Sequence, residues 1–371
     1  MSDYQLLSGY VGSKSSYISK ITAFFDSKCK KYVEPFVGGG SIFFSMSNGR
    51  YEKELINDYN SEIAFIYKAL NDEEYRQASI NAILSVEKDD NKESAKHSFK
   101  ESLRNVRLLC NSRTKKLSDG GYTKEYVASM VADIYKIYSQ SFNCSACTYS
   151  EQKDSYKYEQ ETKMRLACAM ERLSKKNLSV WNTNALNIIK ANKMKAEIQF
   201  YIDWPYVGLY RRSANLYRTE MASLYSHIQY AEELKDAKSA VVFSDYRCTQ
   251  EGVPTIYDAI LGDDWHCYRI GDPYNYCEVV EKGQERKKAA EFIWTNRVPE
   301  TAGLYCLLED YKEKLTLDEY WERIRTAGLK MKLEAKHMEE YNRAYSALNE
   351  NKELFSKNEI KAVRAKEKER A

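Results

Sequence analysis

Tyr32-Val33-Glu34-Pro35-Phe36-Val37-Gly38-Gly39-Gly40-Ser41-Ile42-Phe43-Phe44 is the stretch from which the fold can be read. Three consecutive glycines separate two apolar runs, the pattern of a strand, a tight loop and a helix start. Without a Cβ, glycine lets the backbone turn sharply and lets another group approach its amides. Amides at a helix N-terminus also favour a carboxylate or phosphate. The same triplet would serve a plain turn that needs positive φ, so the glycines alone leave a ligand loop and a turn both open.

The neighbours favour a ligand loop. Lys53-Glu54-Leu55-Ile56-Asn57-Asp58-Tyr59-Asn60 reads as a second strand ending in a carboxylate, with Asp58 18 residues beyond Gly40. An acidic side chain about 20 residues after a glycine loop is the spacing with which Rossmann-like units bind ribose hydroxyls. Ser61–Leu70 then takes helical spacing. Upstream, Gly12-Ser13-Lys14-Ser15 is a small polar loop before a helical stretch carrying Tyr17, Ile18, Ile21 and Phe24. It is not a nucleotide P-loop, which needs glycine directly before the lysine.

Further strands are expected at Leu178–Asn182, Ile198–Ile202, Ala240–Ser244 and Glu291–Asn296, mostly separated by helical stretches. Strands alternating with helices predict a mainly parallel sheet covered on both faces, with the ligand at the carboxyl ends of the strands. Asp58, Asn184, Asp203 and the glycine loop all fall at such ends. Residues 71–179 are polar and helical in pattern. They read as an insertion between the two halves, 1–70 and 180–310, of an α/β core. Arg104, Arg107, Arg113, Lys115 and Lys116 stand among aromatic and amide side chains there, a mix suited to phosphate contact and base readout, although a solvated helical face has the same composition. Residues 311–371 read as a charged helical extension, with a capping box at Thr316-Leu317-Asp318-Glu319.

At 371 residues, 43% hydrophobic and 30% charged, the chain has the composition of a soluble protein with a large core. No apolar run approaches the ~18 residues of a membrane span, and the start lacks a basic then apolar leader, so a cytoplasmic protein is expected. A net charge of +3 permits a polyanionic partner without requiring one. Nine cysteines, an odd number, read as reduced thiols. Cys144 and Cys147 are too few for a zinc site, the four histidines are dispersed, and no metal is expected.

The strand Ile198–Ile202 runs into Asp203-Trp204-Pro205-Tyr206. The Asp203 carboxylate can accept one N–H of an exocyclic amine, and the main-chain carbonyl of residue 204 the other. Both bonds pull the nitrogen towards tetrahedral geometry and free its lone pair. Tyr206 can stack on the base that carries the amine, provided the base has left its duplex. An Asp-initiated turn with a buried tyrosine would look the same in isolation.

Taken together, these motifs resemble the Dam-like DNA adenine-N6 methyltransferases over about residues 5–70 and 175–300. Glu34-Pro35-Phe36-Val37-Gly38-Gly39-Gly40-Ser41 is similar to that family's motif for S-adenosyl-L-methionine (AdoMet). Tyr10-Val11-Gly12-Ser13-Lys14 is similar to its N-terminal motif that touches AdoMet, and Ile56-Asn57-Asp58-Tyr59-Asn60-Ser61 to its ribose motif. Asp203-Trp204-Pro205-Tyr206 stands where the family has its catalytic Asp-Pro-Pro-Tyr, and Ser141-Phe142 resembles a pair in its target-recognition domain. The resemblance implies a Rossmann-like core with residues 71–179 as target-recognition domain. It implies AdoMet held by Tyr10, Gly12, Lys14, residues 34–36 and 38–41, Asp58, Asn184 and Asp203. It implies methylation of N6 on a flipped adenine in double-stranded DNA through Asp203, Trp204, Pro205 and Tyr206, in a restriction–modification setting. RNA or cytosine N4 would suit the same chemistry. Two positions depart from the family. Trp204 replaces the first proline, which keeps the carbonyl, loosens its restraint and would narrow the pocket or add a stacking surface. Asn184 replaces a frequent aspartate. A catalytically impaired, DNA- or AdoMet-binding relative is the alternative.

Overall fold

The computed structural model describes residues 5–7, 10, 12–86, 91–111, 121–141, 146, 148–150, 155–206, 224–248, 254–272, 274–275 and 288–326. The chain first forms the short helix α1 (Ile18–Thr22), then β1 (Lys31–Glu34), the glycine loop and a single helical turn and a half, α2 (Ser41–Ser45). Next come β2 (Lys53–Asn57) and α3 (Ser61–Asn71), which Asn60 caps by accepting from the Glu62 amide. Four helices follow: α4 (Arg76–Leu84), α5 (Lys92–Asn111), α6 (Lys124–Ser139) and α7 (Ser155–Leu173). The second half is β3 (Leu178–Trp181), α8 (Ala185–Asn192), β4 (Ile198–Ile202), α9 (Leu224–Leu234), β5 (Ala240–Cys248), α10 (Ile256–Ile260), β6 (His266–Arg269), β7 (Tyr274–Asn275), β8 (Lys288–Thr295) and α11 (Leu317–Thr326).

The strands make one sheet in the order β3-β2-β1-β4-β5-β8-β6, with β7 pairing on β8. β3 to β5 are parallel, with Val33 opposite both Leu55 and Phe200. β8 is antiparallel to both β5 and β6. This is the Rossmann-like sheet expected from the sequence, with β6 and β7 added on β8. β4 is buried along its whole length, as an apolar central strand of a parallel sheet should be. Side chains alternate between two apolar layers. Tyr201, Val242 and Ile293 enter the layer under α1, α3, α6 and α7. Phe200, Ile202, Phe243 and Trp294 enter the layer under α8, α9, α10 and α11.

The helices between α3 and β3 pack directly on the first layer. Val127, Ile134 and Tyr135 of α6 share it with Ile63 and Ile66 of α3. Arg172 on α7 is buried against β2, donating to Glu54 Oε1 at 2.6 Å and to the carbonyls of Met46 and Ser47. Between residues 311 and 326 the chain stays on the core: the Tyr311 amide donates to the Cys267 carbonyl, and Tyr320 is fully buried. The Thr316–Glu319 capping box forms, with bonds in both directions. Among the described residues no helix is long and apolar enough to cross a membrane.

The topology fixes where a ligand can sit. From β1 the chain moves outward to β2 and β3, then returns to lay β4 on the other side of β1. Such a switch point leaves a crevice outside the carboxyl ends of the two strands. The segments leaving those ends are 35–40 and 203–206, the two motifs singled out in the sequence.

Candidate active site

The glycine loop is held mainly by main chain and by the end of β2. Asp58 Oδ2 accepts from the Gly38 amide at 2.8 Å and Oδ1 from the Asn60 amide at 2.8 Å. Burial nevertheless pushes the Asp58 carboxyl up to about 6, against these two bonds. Buried Asn57 ties the loop to the next crossover, donating to the carbonyls of Pro35 and Thr183 and accepting from the Thr183 amide. Gly38 has φ +48°, and a Cβ there would lie 2.8 Å from the Tyr10 ring. A Cβ on Gly39 would lie 2.8 Å from Tyr10 Cβ. Gly38 and Gly39 are therefore required by the approach of Tyr10, whose ring stacks on Tyr138 of α6 at 5.9 Å, and Gly40 by its φ of +74° and the Phe44 ring, 2.5 Å from where its Cβ would lie. Glu34 lies beneath the loop, buried and accepting from the Tyr32 hydroxyl. Its carboxyl is raised well above the ordinary range by burial.

These contacts revise three expectations. Only the five-residue α2 follows the loop, too short for a strong dipole, and two glycine amides are already engaged, Gly38 with Asp58 and Gly40 with the Val37 carbonyl. Asp58 acts first as a brace for the loop. Asn184 caps α8, its Oδ1 accepting from the Leu186 amide at 2.9 Å, so its oxygen already has a protein partner.

The other side of the crevice gathers charge. Asp203 continues the alternation of β4, pointing to the side of Tyr201. Its Oδ2 accepts from Lys14 Nζ at 2.9 Å, and its Oδ1 from the hydroxyls of Tyr206 and Ser244, each at 3.0 Å. Lys14 is almost fully buried, also donates to the Gly12 carbonyl, and lies 3.6 Å from Glu291 Oε1 and 4.9 Å from the Tyr206 ring centre. Its own amide donates to Ser41 Oγ, linking this loop to α2. Burial opposes the Lys14 charge, but Asp203 and Glu291 outweigh it and raise its pKa well above that of ordinary lysine. Glu291, in the middle of β8, bonds the Tyr206 hydroxyl and packs against the same lysine. Burial pushes its carboxyl up to about 7, with Lys14 opposing and Asp203 reinforcing the shift. Burial and the same two carboxylates keep Tyr206 a neutral donor.

Trp204 points the other way. With one residue of alternation beyond Asp203, its indole falls on the side of Ile202 and is 1% exposed. It is packed among Tyr230, Phe243 and Tyr257. The side chain therefore neither narrows the crevice nor offers a stacking face, which corrects the expectation drawn from its size; only the main chain of residue 204 can act there. Phe36 likewise packs edge-on against Tyr230.

Tyr10, Lys14, Ser41, Asp58, Asp203 and Tyr206 are thus brought around one crevice, with Gly12 beside Lys14. Sequence reasoning missed Glu291 and Ser244. The signal for Glu291 was a lone carboxylate inside the apolar run Ala289-Ala290-Glu291-Phe292-Ile293-Trp294. Arg113, Lys115, Lys116, Phe142, Cys144 and Cys147 lie outside the described residues. Among the described residues no group of three or more His, Cys, Asp or Glu is placed to hold a metal ion.

The lining offers an acceptor for a sugar hydroxyl. Asp58 stands half-buried at the end of β2 with acceptor capacity beyond its two amide bonds. Tyr10 lines the loop, and the side chain of Asp203 is 20% exposed to the crevice.

The sequence model of the D12 class of N6 adenine-specific DNA methyltransferases matches residues 10–252. The chain is similar to the type II methyltransferase M1.LlaDCHI of Lactococcus lactis subsp. cremoris, 33% identical over 63 residues, 17% of this chain and 21% of that protein. It is also similar to the type II methyltransferase M.CviBI of Paramecium bursaria Chlorella virus NC1A, 29% identical over 59 residues, 16% of this chain and 22% of that protein. The matched stretch spans about a fifth of the length of each of these relatives.

Proposed function

The chain belongs to the D12 class of N6 adenine-specific DNA methyltransferases, and from that premise we propose that it transfers the methyl group of AdoMet to N6 of an adenine flipped out of double-stranded DNA. The observation that carries this reading is the switch-point crevice, which sets the glycine loop after β1 beside Asp203 after β4. When bound, AdoMet supplies an electrophilic methyl group on a positively charged sulfur. Tyr10, the glycine loop, Ser41 and Asp58 would hold it.

The work of the protein is to place and polarise the amine. Asp203 accepts one N–H and the carbonyl of residue 204 the other, directing the nitrogen lone pair at the methyl carbon. The amine needs no general base before attack. Tyr206, fixed by Asp203 and Glu291, presents its ring to the flipped base. Lys14 holds Asp203 in place through its Oδ2. Glu291 gives Lys14 and Tyr206 a second partner, so that Asp203 is free to turn to the amine. The helices α4–α7 would read the DNA, with Arg104 and Arg107 exposed on α5 for phosphate contact.

The test is transfer from methyl-labelled AdoMet to an unmethylated duplex of mixed sequence, followed by digestion to nucleosides. Label in N6-methyldeoxyadenosine supports the reading. Label in cytosine or in RNA alone, or DNA binding without any transfer, overturns it.

A further inference from the structure

Behind the peptide that carries the second acceptor lies a closed polar circuit that the reaction does not touch. Trp204 stacks on Tyr230 (5.4 Å, 22°) and on Tyr257 (5.7 Å, 26°), and its ring centre is 4.6 Å from that of Phe243. Its indole N–H donates to Asp245 Oδ2 at 3.3 Å. The Tyr257 hydroxyl bonds the same carboxyl oxygen. On the other side of the peptide, His227 Nε2 lies 2.9 Å from the carbonyl oxygen of Pro205, and its Nδ1 meets the Tyr257 hydroxyl. Asp245, Tyr257 and His227 are all buried, and they come from β5, α10 and α9.

The chemistry of the circuit is directional. A carbonyl only accepts, so His227 Nε2 carries the hydrogen and Nδ1 is the acceptor. Burial pushes the imidazole down to about 4, which keeps it in that neutral form. Burial pushes the Asp245 carboxyl up to about 7, against the bonds it accepts from Tyr257, the Tyr246 amide and the indole. The indole N–H and the Tyr257 hydroxyl both donate to Asp245 Oδ2, and His227 Nε2 donates to the Pro205 carbonyl, with its Nδ1 against the Tyr257 oxygen.

We propose that Trp204, Asp245, Tyr257 and His227 form an anchor that aims the carbonyl of residue 204 at the target amine. A proline at 204 would fix its own φ through the ring. Here an indole clamped between aromatic faces and bonded to Asp245 holds the same backbone from its side chain, and His227 holds the next carbonyl. The four are positioning residues, and the proposal rests on reading Asp203 and the 204 carbonyl as the acceptors of the amine.

The test is single-turnover methyl transfer with both substrates saturating, together with AdoMet affinity and thermal melting of each full-length variant. Trp204→Phe keeps most of the packing and removes the indole donor. Asp245→Leu removes the acceptor, and Asp245→Asn restores one. The rate constant is expected to fall about tenfold or more in Trp204→Phe and Asp245→Leu, because small misplacement of a reacting group is costly, while AdoMet affinity changes less than about twofold. Asp245→Asn is expected to recover most of the rate lost in Asp245→Leu. If Asp245→Leu does not fold, Trp204→Phe decides the matter. A folded Trp204→Phe that transfers at the wild-type rate overturns the anchor and leaves the proposed function standing. A wild type that transfers nothing overturns both.

Discussion

The two sides of the crevice are built by opposite means. On the side of β1 and β2, polar side chains hold main chain: Asp58 holds the Gly38 and Asn60 amides, and Asn57 holds Pro35 and Thr183. On the side of β4 and β8, side chains hold one another: Lys14, Asp203, Tyr206, Ser244 and Glu291 form a single charged cluster. The first side fixes a shape and the second fixes a protonation pattern. Damage to the first should therefore appear as lost affinity for the cofactor, and damage to the second as lost rate.

The largest effect is expected from Asp203→Ala. Transfer should fall by about a thousandfold, the scale of losing a preorganised polar contact at the reacting centre. AdoMet affinity should change by less than about threefold, since Lys14 retains Glu291 and the glycine loop is untouched. Calorimetry beside the transfer assay checks this, and an equal loss of both would erase the contrast between the two sides.

Gly39→Ala makes the converse test. Its new Cβ would lie 2.8 Å from Tyr10 Cβ, so Tyr10 or the loop must shift. A cost of about 1–2 kcal/mol at such an overpacked contact corresponds to roughly a tenfold loss of AdoMet affinity. Rate at saturating AdoMet should recover, and a rate that stays low would show that the loop also sets the chemistry.

Glu291→Gln sharpens the charged side. Burial pushes the Glu291 carboxyl up to about 7. As pH rises through that value the carboxylate forms, draws on Lys14 and Tyr206, and frees Asp203 for the amine. Wild-type single-turnover rate should rise about three- to tenfold from pH 6 to pH 8. Glu291→Gln should be flat across that window and slower at pH 8.

The smallest effect is on stability. Folding raises the Asp245 carboxyl from 3.8 to about 7 and so penalises its ionised form. The penalty is absent below the unfolded value, grows between the two and is complete above about 7. Asp245→Asn lacks it, so its melting temperature should gain on the wild type by a few degrees between about pH 4 and pH 8. A constant difference would place the ionisation elsewhere.

The same contrast explains what could be read without a structure. The glycine loop, Asp58 and the strands at β1, β2, β3, β4, β5 and β8 are local patterns, a few residues with one period each. β6 was not anticipated because His266–Arg269 is four residues bounded by a histidine and an arginine, with no clear alternation. The charged cluster joins distant points, 189 residues apart for Lys14 and Asp203 and 85 for Tyr206 and Glu291. No local pattern carries such pairings. The direction of Trp204 was within reach: the alternation of Ile198–Ile202, continued two residues, sends residue 204 to the side of Ile202. Its size drew attention to the pocket, where the period pointed to the core.

Adenine N6 methylation by this crevice can be read directly in DNA. The most direct measurement is sequencing of adenine methylation in DNA from otherwise unmethylated cells expressing the wild-type chain or Asp203→Ala. N6-methyladenine confined to one sequence motif with the wild type, and absent with Asp203→Ala, is the expected result. An unmethylated genome with folded wild-type protein present, or equal methylation by Asp203→Ala, would contradict the account.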